Sequence, residues 1–137
     1  MWQLVLRSQT LFKIIDYIVK FSAPLAEILG HADAAMESID FTTAVVKAID
    51  KLLARQKLGP GDIAQWEVNE AFASVVLAVE RAFDIEREVM NPHGGAISLG
   101  HPFGASGARI TSRLAHTLKV CPFFQVLRTV FRLALLT

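Results

Sequence analysis

Cysteine and net charge are both scarce in this chain, and each scarcity excludes a class of protein. The 137 residues include one cysteine, Cys121, which excludes an internal disulfide and is compatible with a reducing compartment. The 14 basic and 13 acidic residues nearly cancel, so no basic surface for nucleic acid is indicated. The four histidines are not spaced from one another or from Cys121 as zinc ligands are. We therefore expect no nucleic-acid partner and no metal.

Dinucleotide-binding motifs and membrane-length apolar runs are also missing. No Gly-x-Gly-x-x-Gly pattern follows a candidate strand, so the sequence predicts no dinucleotide and no other bound cofactor. The apolar stretch at 120–137 contains Arg128 and Arg132, and it is too short and too charged to predict a membrane span. We expect no association with a membrane.

Composition divides the chain into three parts. Residues 1–22 are apolar and basic, residues 23–119 form the predicted domain, and residues 120–137 are a second apolar segment. We prefer a truncated gene product as the explanation of both ends. The first part is also loosely amphipathic, as mitochondrial transit peptides are. The predicted location is mitochondrial, and cytoplasmic or peroxisomal locations are the alternatives.

The predicted domain alternates between candidate strands and candidate helices. Apolar patterns and turn signals place its elements at Leu25–Ala32 (strand), Thr42–Gln56 (helix), Ile63–Val68 (strand), Glu70–Phe83 (helix) and Gly104–Lys119 (helix). An alternation of this kind is typical of α/β folds, in which helices cover a sheet. The sequence therefore predicts an α/β fold with layered helices on a mixed sheet.

A glycine-rich loop presents one histidine, His101. Five of the eight glycines lie between Asn91 and Ile110, and Pro102 favours extended geometry at the residue before it. A histidine beside the first turn of a helix tends to stay neutral, which suits a general base or a donor to an oxyanion. The alternative, at even odds from local chemistry, is a buried histidine whose ring only satisfies structural hydrogen bonds.

A second segment, around Asn69, supplies a candidate partner for the histidine. Asn69 directly follows the predicted strand Ile63–Val68, and its simplest role is to cap the helix that comes next. We expect Glu67 and Glu70 to lie at the surface or to support the site, and Trp66 and Phe72 to lie in the core. Spacing alone does not bring Asn69 to His101.

The two segments together resemble the C-terminal half of thiolases, the acetyl-CoA acetyltransferase and 3-ketoacyl-CoA thiolase family. The resemblance is carried by three stretches, Trp66–Ala73, Asn91 and Gly94–Ile110. It implies an incomplete, thiolase-like C-terminal half-domain. It further implies that His101 is the catalytic histidine, which activates a nucleophilic cysteine and lines the hole for the thioester oxygen. Asn69 then corresponds to the asparagine that positions a water in that hole.

The same resemblance implies a reaction for which this chain lacks a part. Thiolases condense two acetyl-CoA molecules, or cleave a 3-ketoacyl-CoA, through an acyl-cysteine intermediate. The neighbourhood of Cys121 matches neither of the two cysteines that the family uses, so we expect the chain to be inactive alone. The expected substrates are coenzyme A thioesters of undetermined acyl length. The alternatives are a non-catalytic pseudoenzyme or interaction module, as a homo-oligomer or associated with a full-length thiolase, and a truncated gene product.

Overall fold

A computed structural model describes residue 26 and residues 28–120 of the chain. The predicted segment 1–22, nearly all of the predicted segment 120–137, and Cys121 lie outside the described residues. Four α-helices are present in this part: α1 (Ala44–Gln56), α2 (Ala73–Phe83), α3 (Ala96–Leu99) and α4 (Ser106–Val120). Three short 3-10 segments are also present: Ser38–Thr43 directly before α1, Pro60–Asp62 between α1 and α2, and Arg87–Val89 between α2 and α3.

The two longest helices confirm the predictions made from apolar spacing. Helix α1 begins two residues later than predicted and ends at Gln56, where Lys57 adopts a left-handed conformation with φ of 56°. Its apolar stripe faces inward and comprises Ala44, Val45, Ala48, Ile49, Leu52 and Leu53. Helix α4 begins at Ser106, two residues inside the predicted start. Amphipathic spacing was therefore sufficient to locate both helices.

Helix α2 shows that the predicted capping role of Asn69 is wrong. The helix begins at Ala73, and Phe72 occupies the N-cap position without a side-chain cap. The side chain of Asn69 reaches His101 instead, and the carboxylate of Glu70 accepts the backbone N–H of Ile97. Both side chains therefore bind another loop, and the helix starts only at Ala73.

The predicted mixed sheet is not confirmed by the described residues 28–120. One isolated parallel bridge joins Trp66 and Met90, so the predicted strand Ile63–Val68 is reduced to a single pairing. The N–H of Trp66 donates to the carbonyl of Val89 at 2.8 Å, and the N–H of Asn91 donates to the carbonyl of Trp66 at 2.8 Å. A parallel pairing this short has no neighbouring strand among the described residues to extend it.

Within the predicted strand Leu25–Ala32 the structure describes residue 26 and residues 28–32, and of these Ile28 alone makes a β-bridge. Three polar side chains of α1 donate to the carbonyl groups of this segment and its continuation: Gln56 to Leu29, Arg55 to His31, and Lys51 to Asp33. The segment is therefore held along α1 by side-chain contacts. Those contacts occupy backbone acceptors that a sheet would use.

The apolar core lies between α1, α2 and the bridge. Its buried members are Val45, Ile49, Leu53, Trp66, Val68, Val75, Val79 and Met90. The rings of Trp66 and Phe83 stack with centroids 5.8 Å apart, which confirms the prediction that Trp66 belongs to the core. Phe72 does not, since 58% of it is exposed, and it meets Phe41 edge-on at the surface.

The side-chain amide of Asn91 continues the pairing between Trp66 and Met90 as far as Val68. The N–H of Val68 donates to Asn91 Oδ1 at 2.8 Å, and Asn91 Nδ2 donates to the carbonyl of Val68 at 2.9 Å. The amide thus replaces the peptide group that a longer strand would place beside Val68. Asn91 itself has a φ of 45°, a left-handed conformation that asparagine tolerates better than most residues.

Glu70 binds the glycine loop at a position where only glycine fits. Its carboxylate accepts Asn91 Nδ2 at 2.9 Å and the N–H of Ile97 at 2.9 Å. A Cβ atom added to Gly95 would lie 2.0 Å from Glu70 Cδ, so the carboxylate occupies the space that a side chain would need. Gly95 is therefore required by a close approach of the two segments.

Glu67 makes a second connection between the same two parts, and of the two positions expected for it, at the surface or in support of the site, the structure favours the second. Its side chain is fully buried and forms an ion pair with Arg113 of α4, while Gln65 Nε2 donates to its other oxygen at 3.0 Å. Arg113 Nη1 also donates to the carbonyl of Gly94 at 2.6 Å. Arg113 therefore connects helix α4 both to the Ile63–Val68 segment and to the glycine loop.

We expect Gly95→Ala to destabilise the fold, because the new methyl group must displace the carboxylate of Glu70 from its two hydrogen bonds. The expected loss in the free energy of unfolding is about 3 kcal/mol, the sum of two charge-assisted bonds at ordinary strength. Denaturant unfolding of the full chain measures it. Gly61→Ala is the matched control, since nothing lies within 4 Å of the Cβ it would add. Equal stability of the two variants would contradict this role of Gly95.

Candidate active site

The structure brings together the two residues that the sequence analysis singled out. Asn69 Nδ2 lies 3.3 Å from His101 Nε2, although 32 positions separate the residues in the chain. Asn69 follows the bridge segment (Ile63–Val68), and the hydrogen bonds between Asn91 and Val68 hold it there. His101 lies between α3 and α4, at the end of the glycine loop. Contacts between the two segments thus place an amide against an imidazole.

The backbone before His101 is bent at a position that favours glycine. Gly100 has φ of 88° and ψ of 159°, a combination found essentially in glycine. The guanidinium of Arg109 donates through Nη1 to the carbonyl of Gly100 at 2.8 Å. After the histidine, the carbonyl of Pro102 accepts the N–H groups of Ala105 and Ser106 and starts the turn into α4. The position of His101 is therefore fixed on both sides.

Ser106, which the sequence analysis did not select, binds the other nitrogen of the ring. Its Oγ lies 2.7 Å from His101 Nδ1 and 3.1 Å from the carbonyl oxygen of Pro102. Only 3% of the residue is exposed, so this hydroxyl has little access to solvent. The sequence did contain a signal for this contact. Ser106 is a hydroxyl residue in the first turn of the helix that begins a few residues after the histidine.

Both ring nitrogens of His101 therefore have neutral partners, and one polar atom beside them is unused. Asn69 Oδ1 is buried and has no hydrogen-bond partner among the described residues. Phe103 lies edge-on to the histidine ring with centroids 4.8 Å apart, and it is 90% exposed. The site is thus an open, polar corner beside an exposed aromatic side chain.

The remaining features of the described residues give no competing site. A shallow apolar cleft lies between α1 and the Ile63–Val68 segment, and neither Asn69 nor His101 lines it. Three or more histidine, cysteine, aspartate or glutamate side chains do not cluster as metal ligands anywhere in this part. None of its helices combines the length and apolar character needed to cross a bilayer.

The chain matches a family model described as "Thiolase, C-terminal domain" over residues 22–122. It is 53% identical over 96 residues to the mitochondrial acetyl-CoA acetyltransferase of Xenopus tropicalis, and 53% identical over 96 residues to that of Homo sapiens. These matches cover 70% of this chain and 23% and 22% of the two relatives. The chain thus spans less than a quarter of the length of these relatives.

Solved structures show the same relationship. An Acat5 thiolase from Ascaris suum in complex with coenzyme A superposes with a TM-score of 0.70 at 41% identity, over 74% of this chain and 27% of that one. Human mitochondrial 3-ketoacyl-CoA thiolase superposes with a TM-score of 0.70 at 42% identity, over 76% of this chain and 27% of that one. The chain belongs to the thiolase family, in which it is related to the C-terminal domain.

Proposed function

We propose that this chain carries the histidine–asparagine part of an acyltransferase site that acts on coenzyme A thioesters. The contact between Asn69 and His101 is the observation that supports the proposal. It places an imidazole and a side-chain amide next to each other in an open corner of the protein. The relatives named above are acetyl-CoA acetyltransferases and thiolases, and one of them was solved with coenzyme A.

In the proposed reaction, His101 moves one proton. The imidazole accepts the proton of a cysteine thiol, and the resulting thiolate attacks the thioester carbonyl. The carbonyl carbon becomes tetrahedral, its oxygen becomes an oxyanion, and the coenzyme A thiolate then leaves, giving an acyl-cysteine. The protonated ring is the donor that stabilises the oxyanion. This chain has no cysteine near His101 in sequence, so we attribute the thiol to a part of the enzyme that this chain does not supply.

The proposed role of Asn69 follows from its unused oxygen. A buried acceptor without a partner costs free energy, and a water that donates one hydrogen to Asn69 Oδ1 would remove that cost. The second hydrogen of the same water would be available to the thioester oxygen. The amide would then act on the substrate through water.

The full 137-residue chain is expected to show no thiolysis of acetoacetyl-CoA above the uncatalysed rate, since the nucleophile is lacking. Release of acetyl-CoA in the presence of free coenzyme A measures this. Turnover that His101→Ala abolishes and Cys121→Ala preserves would contradict our account of the nucleophile. Co-purification with a full-length relative at a fixed ratio would favour the non-catalytic alternative, an interaction module.

A chimera tests the acyltransferase site itself. Residues 22–122 of this chain would replace the matching segment of the rat mitochondrial acetyl-CoA acetyltransferase, to which the chain is 54% identical over 96 residues. We expect an active enzyme in which His101→Ala lowers kcat by about 10³-fold or more and Asn69→Ala by about 10²-fold. His116→Ala, on the exposed face of α4, is the control. A folded chimera that tolerates His101→Ala would refute the proposed function.

We extend the proposal to a mitochondrial location, because the acetyl-CoA acetyltransferases named above are mitochondrial. Immunodetection in fractionated cells is the measurement, with antibodies raised against this chain. The expected signal follows a mitochondrial matrix marker. A signal confined to the cytosolic or peroxisomal fraction would show that the location of these relatives does not extend to this chain.

A further inference from the structure

We propose that Ser106 is a positioning residue that holds His101 in the tautomer with its proton on Nδ1. The inference deepens the proposed function and rests on it for its catalytic meaning. Its structural basis is independent, namely the two contacts at opposite ends of the ring. Ser106 Oγ lies 2.7 Å from Nδ1, and Asn69 Nδ2 lies 3.3 Å from Nε2.

The contact at Nε2 indicates which nitrogen is unprotonated. Asn69 points its NH₂ group at His101 and leaves its oxygen without a partner among the described residues. The nitrogen of a side-chain amide donates hydrogen bonds and does not accept them. The amide therefore donates to Nε2, which must present a lone pair.

The contact at Nδ1 leads to the same tautomer. A serine hydroxyl has one hydrogen, and Ser106 Oγ is within donor distance of the Pro102 carbonyl at 3.1 Å. That carbonyl also accepts two backbone N–H groups, so the hydroxyl is a third donor at one oxygen. Because the hydroxyl donates its one hydrogen to the Pro102 carbonyl, its oxygen can only accept from His101. Nδ1 must then carry the proton.

This tautomer is the one that the proposed reaction needs. Nε2 can take a thiol proton once the amide of Asn69 releases its lone pair, and the N–H formed there is then a donor for the oxyanion. The opposite tautomer would point a lone pair at Ser106, in the buried first turn of α4. Which ring nitrogen is protonated is set by the partner of the other nitrogen, and Ser106 is that partner.

The experiment reads the tautomer directly from the ring-nitrogen NMR shifts of His101 in the isotope-labelled full chain. We expect the Nδ1–H form to dominate in the wild type above the pH range in which histidine titrates. Ser106→Ala should lower the ratio of Nδ1–H to Nε2–H about five-fold, the effect of losing one hydrogen bond of ordinary strength. Ser106→Thr, which keeps the hydroxyl, should restore the wild-type ratio.

Thr111→Val is the matched control, because Thr111 Oγ1 donates to the carbonyl of Gly107 on the same helix and does not contact His101. It should leave the ratio unchanged. A dominant Nε2–H form in the wild type would overturn the inference even if Ser106→Ala failed to fold, and so would an unchanged ratio in a folded Ser106→Ala chain. An inactive chimera with the expected wild-type shifts would refute the proposed function while leaving the tautomer assignment intact.

Discussion

The side-chain amide of Asn91 is the contact on which the rest of the site depends. The backbone pairing of the two central segments amounts to one bridge, between Trp66 and Met90. Beyond it, the amide satisfies both the N–H and the carbonyl of Val68, the residue before Asn69. The left-handed φ of Asn91 meanwhile turns its own backbone toward the glycine loop. One residue thus extends the pairing on one side and redirects the chain toward His101 on the other.

Two carboxylates then hold the glycine loop against the bridge segment. Glu70 occupies the space over Gly95, and Glu67 pairs with Arg113, which also binds the carbonyl of Gly94. A buried ion pair adds little net stability, because desolvation of both charges offsets their attraction. The ion pair instead restricts where the two side chains can lie, because a charge removed from water is tolerated only next to its partner. The loop has few positions in which both carboxylates remain satisfied, and His101 is located accordingly.

Sequence patterns predicted the features that local chemistry determines. Apolar spacing located α1 and α4, and the resemblance singled out Asn69 and His101, which the fold brings into contact. The errors share one cause, which is contacts between distant parts of the chain. The expected cap at Asn69 and the expected burial of Phe72 both depended on contacts that the local sequence does not reveal. Ser106 was overlooked for the same reason, because its hydroxyl matters only once the turn at Pro102 folds it back onto the ring.

The ring of His101 is held by two hydrogen-bond partners of the same kind. Ser106 and Asn69 are both uncharged, and among the described residues no carboxylate bonds to the ring. The proton that His101 accepts from the thiol therefore puts a positive charge on the ring that neither of these partners neutralises. In the proposed reaction this charge coincides with the oxyanion, so the attraction between the two charges stabilises the transition state more than the ground state.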